Sequence, residues 1–287
     1  MIIDSHCHSW AYWPYLPDVP DPETRGSAEM LIDQMNVNGV DRATIVCAQI
    51  YRNTDNNDYV ASALRRYPDR LEQFADVDSF WSETYHTTGA AARLEQAASR
   101  WPMKGFTHYV ASNDDAAWFD SPSGRDFFRV ANDLRLIASI ACGPQHQPMI
   151  RKIAERYPDL TILCHHMAGM RAYGDDSADK MKLVLPSGQL PNIHLKLSGF
   201  HYVSPPEASW AFPYAEVRWL YEEAYGVFGT RMTWGSDYPV VTKAMTHKQS
   251  LEAFRVYCDF VSDDDREAIL GGTLERLLAK ARAVSKS

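Results

Sequence analysis

Hydrophobic and polar positions follow two different periods along the chain. Stretches with apolar residues at helical spacing predict helices over 28–38, 57–66, 89–100, 123–134, 148–157, 214–228 and 247–260. Short apolar runs predict eight strands, over 2–8, 43–49, 71–77, 104–109, 135–141, 160–166, 193–199 and 232–237. Because each helix must return the chain to the same end of the sheet, this alternation predicts parallel strands.

Eight parallel strands are the number that closes into a (β/α)8 barrel, the TIM barrel of the α/β class. That fold typically takes ~250 residues. The chain has 287, so we predict a single domain over residues 1–287. A doubly wound open sheet is the alternative, but no glycine-rich dinucleotide motif follows an early strand. Segments after strands line the active face of a barrel, and three of them are long, at 9–26, 168–191 and 200–213.

Composition and charge narrow the class of partner. No apolar run approaches the ~20 residues that span a bilayer, which argues against a membrane protein. The net charge of −8 is spread along the sequence, which argues against nucleic acid as a partner. The sequence leaves open whether the chain forms a homodimer.

The cysteines and the N-terminus indicate the compartment. The cysteines are odd in number, scattered and mostly inside apolar runs, which predicts buried free thiols in a reducing environment. The first residues show no basic start, apolar segment and cleavage site. We expect a cytoplasmic protein. The five cysteines are Cys7, Cys47, Cys142, Cys164 and Cys258.

Two histidines end the first predicted strand. Alternation along a strand sends His6 and His8 to the same side, where two imidazoles can hold zinc, iron or manganese. An isolated pair of this kind is more often hydrogen-bonded to its neighbours. The ending of the last strand favours the metal, because strands one and eight are adjacent in a closed barrel. Asp237 would emerge there, beside the histidines, to bind the metal or to take a proton from attacking water.

A further histidine pair, His165 and His166, ends the sixth predicted strand. Neighbouring strand residues point to opposite sides, so only one of the two should face inward. We predict His166 in that position, with His165 as the alternative. The other histidine would pack against a helix.

These motifs resemble the amidohydrolase-2 branch of the amidohydrolase superfamily, which includes fuconolactonase-like sugar lactonases and 2-pyrone-4,6-dicarboxylate lactonase. The resemblance is spread along the whole chain, and the motifs are specific only when taken together. Those that carry it include Asp4-Ser5-His6-Cys7-His8, Asn38-Gly39-Val40-Asp41-Arg42-Ala43, Lys104-Gly105-Phe106, His166-Met167-Ala168, Lys196-Leu197-Ser198-Gly199, Gly235-Ser236-Asp237-Tyr238-Pro239 and Leu270-Gly271-Gly272-Thr273.

The resemblance implies an amidohydrolase-like barrel that hydrolyses a lactone, a small-molecule substrate, with Asp237 as the base that activates water. The catalytic and metal-binding residues would be His6, His8, His166 and Asp237. One divalent ion is expected, zinc first and manganese or iron next. A metal-free mechanism stays open, because members of the branch differ in this respect.

Two departures from the pattern of the branch concern the metal and the substrate. The fifth strand ends without a histidine or lysine ligand, which argues against a two-metal centre. Thr107 stands where relatives often place an arginine, which favours a substrate less anionic than a dicarboxylate.

Polar residues at strand ends, or in the segments just after them, are the predicted substrate contacts. For any one of them, a surface or structural role is about equally expected. They are Gln49, Tyr51, Arg52, His108, Arg171, Lys196, His201 and Tyr238.

Three other functions compete with lactone hydrolysis. A decarboxylase of the aminocarboxymuconate-semialdehyde type uses similar residues. A hydrolase is favoured because the fifth strand lacks a histidine or lysine ligand and because of the motif Lys196-Leu197-Ser198-Gly199. Metal-dependent deoxyribonucleases open with a similar strand but differ in the later motifs. A non-catalytic barrel that binds a small molecule has no positive support, since four convergent polar groups are costly to keep without a function.

Overall fold

The computed structural model describes residues 1–282 and shows eight parallel strands in one sheet, each paired with the next along the chain. The predicted (β/α)8 barrel is confirmed. The strands are β1 (Ile3–Cys7), β2 (Arg42–Val46), β3 (Leu71–Asp76), β4 (Met103–Tyr109), β5 (Ile137–Ala141), β6 (Ile162–Cys164), β7 (Ile193–Leu197) and β8 (Met232–Trp234).

Eleven α-helices are present in the described part of the chain, in addition to shorter 3-10 and π-helical turns. The predicted helices correspond to the first five, the eighth and the ninth. They are α1 (Ala28–Asn38), α2 (Asn56–Arg66), α3 (Ala90–Arg100), α4 (Pro122–Asp133), α5 (Gln147–Arg156), α6 (Ser177–Val184), α7 (Phe200–Val203), α8 (Arg218–Phe228), α9 (His247–Arg255), α10 (Asp263–Glu267) and α11 (Thr273–Lys280).

The largest boundary errors have local causes. Helix α8 begins four residues after the predicted start because Tyr214 has a φ of 65°, a left-handed conformation that a helix does not contain. Helix α9 ends at Arg255 rather than at 260. The apolar pattern continues to Phe260 because that ring packs on Tyr225 from a turn beyond the helix.

The amino-terminal end of the barrel is filled by apolar side chains. Ile3, Phe74, Ile137 and Leu163, from four different strands, cluster with leucines of α11. Gly105 makes room for this layer, since a Cβ there would lie 2.4 Å from the Ile137 carbonyl oxygen. Polar chemistry is therefore restricted to the other end of the barrel.

The cysteines are free thiols, as predicted, and four of the five are buried. Within residues 1–282, no helix combines the length and the apolar character needed to cross a bilayer.

Candidate active site

Hydrogen bonds around Asp4 join the first strand to the segment after the last one. The buried Asp4 carboxylate accepts the backbone N–H of His6 at 3.0 Å, the N–H of Ser236 at 2.9 Å and the Ser236 hydroxyl. Next to these bonds, the N–H of Asp237 donates to the His6 carbonyl at 2.7 Å. The seam between β1 and β8 therefore fixes the point at which Asp237 leaves the sheet.

Asp237 lies against both histidines of the first strand. Its Oδ1 is 3.6 Å from His6 Nε2 and 3.4 Å from His8 Nε2, and all three side chains are buried. His8 Nδ1 donates to the Val46 carbonyl at 2.6 Å, which leaves Nε2 as the nitrogen that faces the carboxylate. A buried carboxylate oxygen with two imidazole nitrogens around it is an arrangement that can hold a cation.

The ionisation of these groups suits a base and metal ligands. Burial raises the pKa of Asp237, but His166, His8 and His201 outweigh that effect and hold its pKa below the ordinary value. Burial also lowers the pKa of His6 well below its ordinary value and that of His166 to about 4. At neutral pH the site therefore contains a carboxylate beside imidazoles whose lone pairs are free to bind a metal.

Both histidines of the sixth-strand pair meet His6. The ring centroid of His6 is 4.5 Å from that of His165 and 4.4 Å from that of His166. The prediction that only one of the two faces inward is wrong, because β6 ends at Cys164 and His166 adopts a φ of 44°. Strand alternation no longer applies to a residue in a left-handed turn.

Serine hydroxyls fix the orientation of both rings. Ser139 Oγ lies 2.7 Å from His165 Nε2, and Ser198 Oγ lies 3.0 Å from His166 Nδ1. Lys196, a predicted substrate contact, is fully buried beneath this cluster, with Nζ donating to Ser139 Oγ at 2.7 Å. Burial lowers the pKa of Lys196 to about 7. Its position makes it a partner of the histidines rather than a part of the cavity wall.

The donor atoms fit a divalent metal ion. The ligand atoms of His6, His8 and Asp237 lie within 4.8 Å of one another, as do those of His6, His165 and His166. His6 Nε2 is buried and has no hydrogen-bond partner within residues 1–282. Imidazole nitrogen with one carboxylate is a donor set that zinc, manganese and iron accept.

Tyr202 contacts the outer side of the same carboxylate. Its hydroxyl donates to Asp237 Oδ2 at 2.9 Å, and its ring lies 5.0 Å from that of His166. Gly199 permits this packing, because a Cβ there would lie 2.4 Å from Tyr202 Cδ2 and 3.0 Å from His166 Nδ1. The two oxygens of Asp237 are thus distinct: Oδ1 faces the imidazoles and Oδ2 faces Tyr202.

A cavity of about 380 Å³ opens beside this cluster. His165, His166 and Tyr202 form one wall, and its other polar residues include Ser112, Gln145, His146 and Arg171. Arg171 is the one cationic side chain of the wall among the described residues. A ligand in this cavity would meet neutral hydrogen-bonding groups and a single guanidinium.

The predicted substrate contacts divide into two groups. Arg171 lines the cavity, and His201 packs on Tyr202 at a centroid distance of 3.9 Å. Lys196 is in contact with the histidines, as described above. The remaining five lie elsewhere: Gln49, Tyr51, Arg52, His108 and Tyr238.

Three of those five belong to the segment after β2. Gln49 lines a separate depression beside Arg93 and Trp101. Tyr51 is 64% exposed, and the guanidinium of Arg52 stacks on its ring. Tyr51 and Arg52 are exposed, and Tyr51 has a positive φ of 49° that ends the strand geometry at this point.

His108 and Tyr238 lie away from the catalytic cavity for a shared reason, since each is the sequence neighbour of a residue that faces the cluster. His108 packs beside Phe127, whereas the adjacent Tyr109 lies 5.3 Å from the His165 ring. Tyr238 lines a second cavity behind Asp237. Alternation along β4 could have identified Tyr109 in advance. No pattern singled out Tyr202 within its long segment.

The fold and the cluster define a barrel hydrolase centre, and comparison with known proteins agrees with this class. A family model described as amidohydrolase matches residues 3–280. The chain therefore belongs to the amidohydrolase family.

Among individual proteins, the chain is 25% identical to an L-fucono-1,5-lactonase of Burkholderia ambifaria over 285 residues, covering 94% of this chain and 92% of that protein. Two solved structures show the same fold, each with a TM-score of 0.75, 18% identity, and coverage of 97% of this chain and 99% of the other. One is a probable 2-pyrone-4,6-dicarboxylic acid hydrolase from Acinetobacter baumannii with citric acid bound. The other is an amidohydrolase from Burkholderia multivorans with bound zinc.

Proposed function

We propose that the chain is a hydrolase that opens a lactone ring with water activated by Asp237. The observation that carries the proposal is the division of the Asp237 carboxylate, with Oδ1 at the imidazoles and Oδ2 at Tyr202 on the cavity side. The lactonase from Burkholderia ambifaria, similar over nearly the whole chain, supports the reaction type.

The chemistry follows from these positions. Asp237 accepts a proton from water, and the hydroxide forms a bond to the lactone carbonyl carbon. The ring C–O bond then breaks, and the proton held by Asp237 passes to the departing alkoxide, which leaves a hydroxy acid. His166, which is partly exposed at the cavity wall, lies where it can donate to the carbonyl oxygen as negative charge develops on it.

Zinc is the metal that we propose for this centre, held by His6, His8 and Asp237 with His166 beside them. When bound, it supplies Lewis acidity towards the carbonyl and lowers the pKa of water. The zinc bound to the Burkholderia multivorans structure supports this choice. The free cysteines support a cytoplasmic location.

The cavity favours an uncharged, polyhydroxylated lactone over a dicarboxylate. Ser112 and Gln145 offer neutral donors and acceptors, and Arg171 is a single cation at the wall. A dicarboxylate would require charge-assisted partners for both of its groups. A sugar lactone such as L-fucono-1,5-lactone matches this arrangement.

The test is acid release from a panel of lactones by the zinc-loaded protein. We expect turnover of L-fucono-1,5-lactone or a related aldonolactone, and at least about tenfold lower kcat/KM for 2-pyrone-4,6-dicarboxylate, the range for one unmatched charged group. No acid release from any lactone in the panel would overturn the proposal. A preference for the dicarboxylate would overturn the substrate class.

A further inference from the structure

Two of the five cysteines lie side by side at the catalytic cavity. Cys142 directly follows β5, and Cys164 is the last residue of β6, the neighbouring parallel strand. The thiols of the two residues are hydrogen-bonded to each other. The proposed hydrolysis uses neither sulfur atom, so the pair is a nucleophilic feature to which the reaction assigns no role.

The side-chain amide of Gln147 contacts both sulfur atoms. Its Nε2 donates to Cys142 Sγ at 3.4 Å and to Cys164 Sγ at 3.8 Å. Its Oε1 accepts the Ser187 hydroxyl at 2.8 Å, which fixes the amide with Nε2 on the sulfur side. Because an N–H donor stabilises a thiolate, the form in which cysteine reacts, the pair has surroundings suited to thiol chemistry.

The two thiols differ in their access to solvent. Cys142 is partly exposed and lines the catalytic cavity, whereas Cys164 is fully buried. A small oxidant that enters the cavity therefore meets Cys142 first. Cys164 needs no access of its own, because its reaction partner is the sulfur atom of Cys142.

We propose that hydrogen peroxide oxidises Cys142 and Cys164 to a disulfide and that this modification inactivates the catalytic centre. The Cys142 thiolate forms a bond to one peroxide oxygen, the O–O bond breaks, and the departing hydroxide takes the thiol proton and leaves as water. Cys164 sulfur then attacks the sulfenic sulfur of Cys142: the S–S bond forms, the S–O bond breaks, and a second water molecule leaves. The pair loses two electrons and two protons, and the peroxide is reduced to two water molecules.

The disulfide acts on the histidines that follow Cys164 in the chain, His165 and His166. Ser139 of β5 already contacts His165 across the same two strands, at 2.7 Å. A disulfide brings its sulfur atoms to ~2.05 Å, so the ends of β5 and β6 must move together. A displacement of about 1 Å in a catalytic centre costs about 10²-fold in rate. This loss of turnover rests on the proposed hydrolysis, whereas the disulfide itself does not.

The experiment treats the zinc-loaded protein with hydrogen peroxide and maps its cysteines by mass spectrometry of non-reduced peptides. We expect one linked pair, Cys142 with Cys164, at the summed mass of the two peptides less two hydrogen atoms. Lactone turnover should fall about 10²-fold and return with dithiothreitol. The peptide map needs no enzymatic activity, so its result is distinguishable from failure of the proposed hydrolysis.

Three variants locate the reaction. Cys142→Ser should keep its turnover after peroxide, measured against the same variant untreated, and Cys164→Ser should stop at a Cys142 sulfenic acid that dimedone labels. Cys258→Ser is the matched control, since that buried thiol contacts the Ala253 carbonyl instead, and it should lose turnover as the parent protein does. Unlinked Cys142 and Cys164 after peroxide, a bond from either one to a different cysteine or another chain, or equal loss of turnover in Cys142→Ser would each overturn the proposal.

Discussion

Tyr202→Phe removes one hydroxyl from the candidate site and keeps the ring that packs on His166. The lost contact is the 2.9 Å hydrogen bond to Asp237 Oδ2. Hydrogen bonds to charged groups contribute about 1.5–3 kcal/mol, and the lower end applies because Tyr202 is 40% exposed. If the bond holds the carboxylate in its productive orientation, ~1.5 kcal/mol corresponds to a loss of about tenfold in rate.

The assay is steady-state acid release from an aldonolactone, with kcat and KM separated. We expect kcat to fall about tenfold and KM to change little, because the hydroxyl orients the base rather than binding the substrate. Tyr257→Phe serves as the matched control, since this half-exposed ring packs on Phe212 away from the cavity. An unchanged kcat in Tyr202→Phe would refute an orienting role, and a raised kcat would show that the hydroxyl blocks the base.

Three further predictions concern stability and metal content. Gly199→Ala should lower the free energy of unfolding in urea by about 1–2 kcal/mol, because Gly199 has a φ of 70° and the new Cβ would clash with Tyr202. Gly226→Ala is the control and should not be destabilising, since no atom lies within 4 Å of its new Cβ. Equal stability of Gly199→Ala and the parent protein would contradict this prediction. Burial lowers the pKa of His194 to about 4, so the unfolded chain binds more protons between pH ~6.5 and 4 and stability falls as the pH falls through that window. His194→Gln should remove about 2–3 kcal/mol of that decline, and parallel stability curves for the two proteins would contradict the assignment. Elemental analysis should find one zinc ion per chain. The zinc should be lost in His8→Gln and kept in the control His194→Gln. Zinc retained in His8→Gln would exclude His8 as a ligand.

The fold was predictable because the period of the apolar residues changes with each element. A strand such as Ile137–Ala141 is apolar throughout, and α4 presents buried positions at helical spacing between exposed ones. Helix ends with side-chain caps were also visible, as at Ser27, whose hydroxyl accepts the Met30 N–H. These signals are local, so a single sequence contains them.

The centre of the site could be predicted because barrel closure makes β1 and β8 neighbours. What failed depended on the backbone just beyond the strands. His166 has a positive φ of 44°, which no periodicity reveals, and both His165 and His166 therefore contact His6. Contacts made by the long segments after the strands could not be predicted either. The contact of Tyr202 with Asp237, for example, depends on the turn that Gly199 permits.

The central claim is that Asp237 is the base of a hydrolytic centre built on His6 and His8. The most direct test is the kcat of Asp237→Asn with an aldonolactone, at zinc saturation, since asparagine keeps the shape but cannot accept the proton. We predict a loss of at least about 10²–10⁴-fold, the usual contribution of a general base. A kcat within a factor of about two of the parent protein, well inside that range, would contradict it.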